Sequence, residues 1–315
     1  MNFQQTLRSE TYYEGLESFG GQKVKATIYP APTDTGIIFE TKRGEVKANL
    51  QNASHFQSAI FLKQEQAGVI QVEHILATLW AYGIDNARIQ LERTNPTLSF
   101  KALSSLGFAT TIDSVPLPED REYTLCKKIE EVGTIEQERK RKLLTLDEKF
   151  ETEKLSFFPT NKSGLVIKAK INYPVIGEEI VEIGITPESY KNELSMSRSY
   201  VKHVPSWFPM KLASAIAMFA YPSYGIGHGF TESRFFTPPK NLEEWRRKEI
   251  YLGEIARHAI VDRLGAISLL DRRLDGIKVE TYRSGHANDL AVLRELNSHL
   301  RQSKDLNTNY KVVTP

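Results

Sequence analysis

Stretches with the two-residue period of strands and stretches with the helical period recur in both halves of the chain. That mixture constrains the fold more than any other feature. Val24 to Pro30 alternates and stops at a proline, and Gly36 to Glu40 is a short apolar strand after a turn at Thr33-Asp34. A helix is expected over Gln71 to Tyr82, stopped by Gly83, then a strand over Asn86 to Leu91 and a short helix near Lys101 to Leu106. In the second half, Gly164 to Tyr173 alternates as a strand and Pro187 to Val201 has helical spacing. Asn241-Leu242-Glu243-Glu244 has the spacing of a capping box and opens a helix expected to run towards Leu270. Gly276 to Tyr282 reads as a strand and Gly285 to Leu300 as a final helix.

The pattern predicts an α+β fold of two similar domains, each a sheet packed against a helix pair. A chain of 315 residues is comfortable for two cores. Pro116 and Pro118 mark the expected boundary. The domains are therefore 1–118 and 119–303, with 304–315 as a flexible tail.

Charge and composition exclude several classes. The net charge is +2, from 41 Lys and Arg against 39 Asp and Glu, which makes no electrostatic case for nucleic acid. The basic run Arg139-Lys140-Arg141-Lys142 sits in a segment whose six basic residues face six acidic ones, so it reads as a solvated linker or strand surface. No stretch reaches the roughly 18 apolar residues of a spanning helix, and the first residues lack a signal pattern. Peripheral contact with a membrane surface stays open. The single cysteine, Cys126, rules out an internal disulfide, reads as a structural or surface thiol, and fits a reducing cytoplasm.

Two segments carry candidate chemistry. Glu73-His74 lies in a helix among Ile70, Val72, Ile75, Leu76 and Leu79. His258 and Asp262 stand four apart on another helix, about one turn, and so share a face. A nitrogen and an oxygen on one face can serve one metal ion, and zinc accepts such ligands while keeping a position open for water. Taken alone, His-x-x-x-Asp is equally a hydrogen-bonded pair on a solvated face, and His74 a buried, satisfied histidine.

The pieces gain weight from their order. Val72-Glu73-His74-Ile75-Leu76-Ala77 followed by Gly83-Ile84-Asp85-Asn86-Ala87, then Arg257-His258 with Asp262, then Ser284-Gly285-His286-Ala287-Asn288 stand in one register. Pro30-Ala31-Pro32 with Thr35-Gly36-Ile37 precedes them. This series resembles the UDP-3-O-acyl-N-acetylglucosamine deacetylases of lipid A synthesis over most of the chain. The resemblance implies two α+β domains with the active site between them. It implies a Zn2+ ion held by His74, His258 and Asp262, with iron(II) fitting the same ligands. It makes Glu73 the general base, His286 the group that stabilises the oxyanion or protonates the leaving amine, and Ser199 the hydroxyl beside the oxyanion. A plain surface hydroxyl is the other reading of Ser199. The implied substrate is an acylated nucleotide sugar or a related N-acyl amino sugar.

The chain also departs from the family. Ala259 stands where the family has a lysine after the helix histidine, and Ala266 where it has an aspartate that pairs with the histidine matching His286. Thr94 to Ser99 replaces a Met-Asp-Gly-Ser-Ala segment, and Gly225 to Phe230 replaces a Gly-Gly-Ser turn. The aromatic stretch from Trp207 to Phe230 reads equally as an acyl-chain passage or as packing. Two alternatives therefore accompany the deacetylase reading: a divergent zinc amidohydrolase with another N-acyl substrate, and a non-catalytic precursor-binding protein. His55, His203 and His299 have no motif around them and read as structural; a surface-loop position is the reading of His228.

Overall fold

The computed structural model describes residues 3–16, 23–56, 59–93, 108–110, 124–173, 177–200, 235–236 and 253–305. The chain opens with β1 (Phe3–Leu7), β2 (Thr11–Leu16), β3 (Lys23–Pro30), β4 (Ile37–Thr41) and β5 (Gly44–Lys47). Next come β6 (Ala53–Phe56), β7 (Ala59–Gln64), β8 (Ala67–Ile70), helix α1 (Glu73–Ala81), β9 (Ala87–Arg93) and β10 (Phe108–Thr110). A five-stranded sheet runs in the order β2-β3-β9-β4-β5, parallel only between β4 and β9, where Phe39 faces Ile89. A four-stranded sheet runs β10-β8-β7-β6.

Helix α2 (Leu125–Val132) is followed by β11 (Thr134–Lys140), β12 (Leu143–Leu144), β13 (Leu155–Pro159), β14 (Leu165–Tyr173), β15 (Gly177–Gly184), β16 (Ser199–Tyr200) and β17 (Phe235–Phe236). Helix α3 (Glu254–Ile267), β18 (Arg273–Leu274), β19 (Ile277–Tyr282) and helix α4 (His286–Asp305) complete the order. Here the sheet is β13-β19-β14-β15. β11 pairs with β1, and β12 with β18. The architecture is α+β, as the periodicity predicts.

Alternation explains the sheets. Leu165, Ile167, Ala169 and Ile171 of β14 are buried while Val166, Lys168 and Lys170 between them are partly exposed, the signature of a strand covered on one face. Its neighbours match: Ile167 faces Ile183 on β15 and Val279 on β19. Helices α1 and α3 differ, being buried nearly all round, as helices enclosed on several sides must be. They pack on each other, and α3 also packs on β14 and β15.

One glycine permits that helix contact. A Cβ on Gly265 of α3 would lie 2.2 Å from the carbonyl oxygen of Glu73 on α1, closer than atoms can approach. At the other end of α1, Gly83 adopts φ 74° and stops the helix, as expected.

The expected helix from Pro187 to Val201 is only partly formed. Thr186 caps a turn at Pro187–Ser189 that widens into a π-helical Tyr190–Leu194, and the chain is extended by β16. Tertiary partners take the backbone beyond it: Ser197 O meets His258 Nδ1 at 2.9 Å and Arg198 N donates to Glu254 Oε1 at 3.0 Å. A continuing helix would have used those groups itself. The α3 expectation holds over Glu254–Ile267, followed by a 3-10 turn at Ser268–Leu270. Its opening at Asn241, the helix near Lys101 to Leu106 and the boundary prolines lie outside the described residues.

The basic run begins in β11 and continues past its end, with partners: Arg139 pairs with Asp34, Arg141 with Asp85, and Lys142 with Asp271. Among the described residues no helix is long and apolar enough to cross a membrane. Cys126 is buried in α2, and burial pushes its thiol up to about 11 despite hydrogen bonds with Tyr82 and Ser195. The His299 ring packs on Phe150.

Two outcomes follow from this packing. Gly-to-Ala in a helix interior ordinarily stabilises by up to about 1 kcal/mol. Gly265→Ala is expected to reverse that sign and cost at least about 2 kcal/mol in urea unfolding, because the added methyl meets backbone. For Cys126, the folded state favours the neutral thiol, so its contribution is whole below the unfolded pKa of about 8.5 and is lost as pH rises towards the folded value. Stability of the wild type should fall by about 2 kcal/mol by about pH 10 from this group, and Cys126→Ala should lack that fall.

Candidate metal centre

The turn into α1 positions its first two residues. Gln71 takes φ 65°, which folds the chain from β8 directly into the helix. Glu73 and His74 then point into the contact with α3, each only 2% exposed. One carboxylate oxygen of Glu73 is fixed by the backbone N–H of Ile60 on β7, at 2.9 Å. The other lies 3.8 Å from His286 Nε2.

His258 and Asp262 share one face of α3, as their spacing requires. The Nδ1 of His258 lies 2.9 Å from Ser197 O, which turns Nε2 towards Asp262 Oδ1 at 3.4 Å. His74 Nε2 approaches the same oxygen at 3.5 Å and His286 Nε2 at 4.0 Å. The His74 and His258 rings are edge to face, their centres 5.0 Å apart.

These atoms fit a cation. Ligand atoms of His74, His258 and Asp262 all lie within 4.8 Å of one another. Bonds of about 2.0–2.2 Å to zinc place tetrahedral ligands roughly 3.3–3.6 Å apart, which the two Asp262 distances match. Asp262 Oδ1 is buried and accepts no hydrogen bond among the described residues, although three imidazoles face it. A buried carboxylate oxygen left in that state calls for another positive partner. Burial opposes ionisation of Asp262, but His258, His286, His74 and Arg263 outweigh it and hold its carboxyl far below the usual range. The candidate ligand set is thus two imidazoles and one carboxylate.

A further layer holds this cluster. Arg263 is buried beside Asp262 and donates from Nε to Asp289 Oδ2 at 2.8 Å and from Nη2 to Ser284 O at 2.6 Å. Ser284 Oγ donates to Asp289 Oδ1 at 2.5 Å. The turn into α4, whose first residue is His286, is therefore tied to α3. Arg198 makes a two-pronged pair with Glu254, at 2.7 and 2.9 Å, which anchors the Ser197 carbonyl under His258. Ala266 is buried, and His286 Nδ1 is buried with no hydrogen-bond partner among the described residues.

Five of the six residues singled out from the sequence thus converge: Glu73, His74, His258, Asp262 and His286. Ser199 falls in β16, but its side chain lies outside the described residues, as do Trp207 to Phe230 and Thr94 to Ser99. Of the supporting groups, Glu254 escaped the sequence, while Arg198, Arg263 and Asp289 were visible as neighbours of the motifs but could not be aimed from sequence. A further signal was Gly265 inside a helical pattern, which marks a close backbone approach.

Fold and site together define an α+β protein with a buried cluster of metal-ligand type, two histidines and one aspartate, beside a glutamate and a third histidine. The chain belongs to the UDP-3-O-acyl N-acetylglycosamine deacetylase family, whose model matches residues 4–206. It is similar to the UDP-3-O-acyl-N-acetylglucosamine deacetylase of Campylobacter fetus, at 25% identity over 90% of this chain and 87% of the relative. The enzyme of that name from Geotalea uraniireducens is 23% identical over 94% of this chain and 89% of its own. The one from Helicobacter hepaticus is 24% identical, covering 91% and 88%.

Removing one partner of the Arg263–Asp289 pair leaves a buried charge. Arg263→Met is expected to cost about 3–5 kcal/mol in urea unfolding. The double variant Arg263→Met with Asp289→Leu should recover most of that loss, because neither charge remains buried alone.

Proposed function

We propose that the protein is a zinc-dependent deacetylase that hydrolyses the N-acetyl amide of UDP-3-O-acyl-N-acetylglucosamine, or a close analogue, in lipid A synthesis in the cytoplasm. The observation that carries this reading is the convergence of Glu73, His74, His258, Asp262 and His286 on one point. Family membership supports the reaction class. The domain limits 1–118 and 119–303, with a tail beyond, belong to the same proposal.

Each residue has a part that its chemistry allows. His74, His258 and Asp262 would hold the ion. A divalent cation there supplies Lewis acidity, lowering the pKa of water and polarising the amide carbonyl. Glu73 removes a proton from the attacking water with its oxygen nearer His286, its other oxygen being held by Ile60 N. The water oxygen forms a C–O bond to the carbonyl carbon, giving a tetrahedral oxyanion, and the C–N bond then breaks as the carbonyl re-forms. His286, facing Glu73, donates a proton to the departing amine or stabilises the oxyanion. The products are acetate and a free amine. The hydroxyl of Ser199 would add a donor to the oxyanion.

A second reading has its own observation. Among the described residues His286 Nδ1 has no hydrogen-bond partner, with Ala266 where the family has an aspartate, and Ala259 replaces the family lysine. Those changes favour a divergent amidohydrolase with another N-acyl substrate.

Metal content and acetate release from UDP-3-O-acyl-N-acetylglucosamine test both. The expected result is one metal ion per chain, lost in His74→Ala. Acetate release should drop by about 10²–10⁴ in Glu73→Gln while the metal is retained. Metal without release from this substrate would transfer the reading to another N-acyl compound. No metal after reconstitution would sink the enzyme reading and leave a binding protein.

A further inference from the structure

At the far end of α1 from Glu73 and His74, that helix, the segments around β12 and β18 and residues of the first strands line an open cavity of about 110 Å³. Trp80 stands six residues beyond His74, which places the cavity roughly 9 Å along the helix axis from the metal ligands. Leu76 and Leu79 give it an apolar side.

Its charge is unbalanced. Five cationic side chains and three carboxylates line it. Each carboxylate is already engaged: Asp85 by Arg141 and Arg273, Asp271 by Lys142, and Asp34 by Arg139 and Gln4. Lys47 and Arg272 are left without a carboxylate within ion-pair distance among the described residues. Arg272 Nη1 is buried and finds no acceptor there, and neither does the buried indole Nε1 of Trp80.

The unsatisfied groups are all donors, and the unmatched charges are both positive. A buried donor without an acceptor is costly, more so when charged, so such a group signals a missing partner. That partner must accept hydrogen bonds and carry negative charge. We propose that this cavity binds a small oxyanion of the phosphate class, held by Arg272 and Lys47 with the Trp80 indole N–H as a third donor. Two unmatched cations suit an anion with close to two negative charges, and guanidinium geometry suits phosphate oxygens. The volume is several times the roughly 30 Å³ that a water occupies in the liquid, room enough for one phosphate group. The site is separate from the metal cluster, and the proposal stands independently of the deacetylase reading.

Calorimetric titration of the metal-loaded protein with inorganic phosphate, at constant ionic strength, tests it. One saturable site is expected, weakened at least tenfold in Arg272→Gln and several-fold in Lys47→Gln. Lys47 lies on the edge strand β5, so its variant keeps the test readable if Arg272→Gln folds poorly. Absence of saturable binding overturns the proposal. So does equal affinity in the wild type and both variants, which would place the phosphate at the metal instead.

Discussion

The contact between the backbone of Glu73 and the bare α-carbon of Gly265 is the constraint on which the rest depends. Any side chain there would push α1 and α3 apart, because a Cβ would sit 2.2 Å from a carbonyl oxygen. With hydrogen in its place, the two helices close up and four functional side chains from distant segments meet. Glu73 and His74 arrive from α1, His258 and Asp262 from α3. His286 joins at the start of α4, in a loop that Arg263, Ser284 and Asp289 tie to α3. The geometry of the candidate metal centre is thus a property of helix packing before it is a property of any single side chain.

The electrostatics of the centre follow from that enclosure. A fully buried carboxylate such as Asp289, or a half-buried one such as Asp262, is costly unless paired. Arg263 lies between them, bonded to Asp289 and 3.9 Å from Asp262 Oδ2. Glu254 is satisfied by Arg198, and Glu73 by the Ile60 N–H. Among the described residues each of these negative groups therefore has a partner, while one atom, Asp262 Oδ1 at the centre of the histidines, accepts no hydrogen bond. A site whose surroundings are this well satisfied leaves its demand for positive charge at one place. The same reasoning, with the sign reversed, distinguishes the cavity at the other end of α1, where donors rather than acceptors go unmet.

Much of the fold was legible because the strands are covered on one face. Leu165 to Ile171 alternates in the sequence since alternate side chains meet α3 and the core. The α1 boundaries were legible from its apolar run and Gly83. The stretch after Pro187 was misread as one helix because its spacing is helical in isolation. Glu254 and His258 claim its backbone groups, and neither is near it in sequence. The β1–β11 pair was illegible for a related reason: its residues are largely polar, and pairing joins segments more than a hundred residues apart.

By itself, the sequence determined the α+β class, the identity of the histidines and acids, and the one-turn spacing that sets His258 and Asp262 on a shared face. These are local properties, carried by side-chain period and residue type. Tertiary structure alone decided which oxygen of Glu73 is held, how the His258 ring is turned, and that Arg263 and Asp289 neutralise each other beneath the site. Those outcomes depend on distances between segments brought together by burial, and no local pattern encodes a distance across the fold.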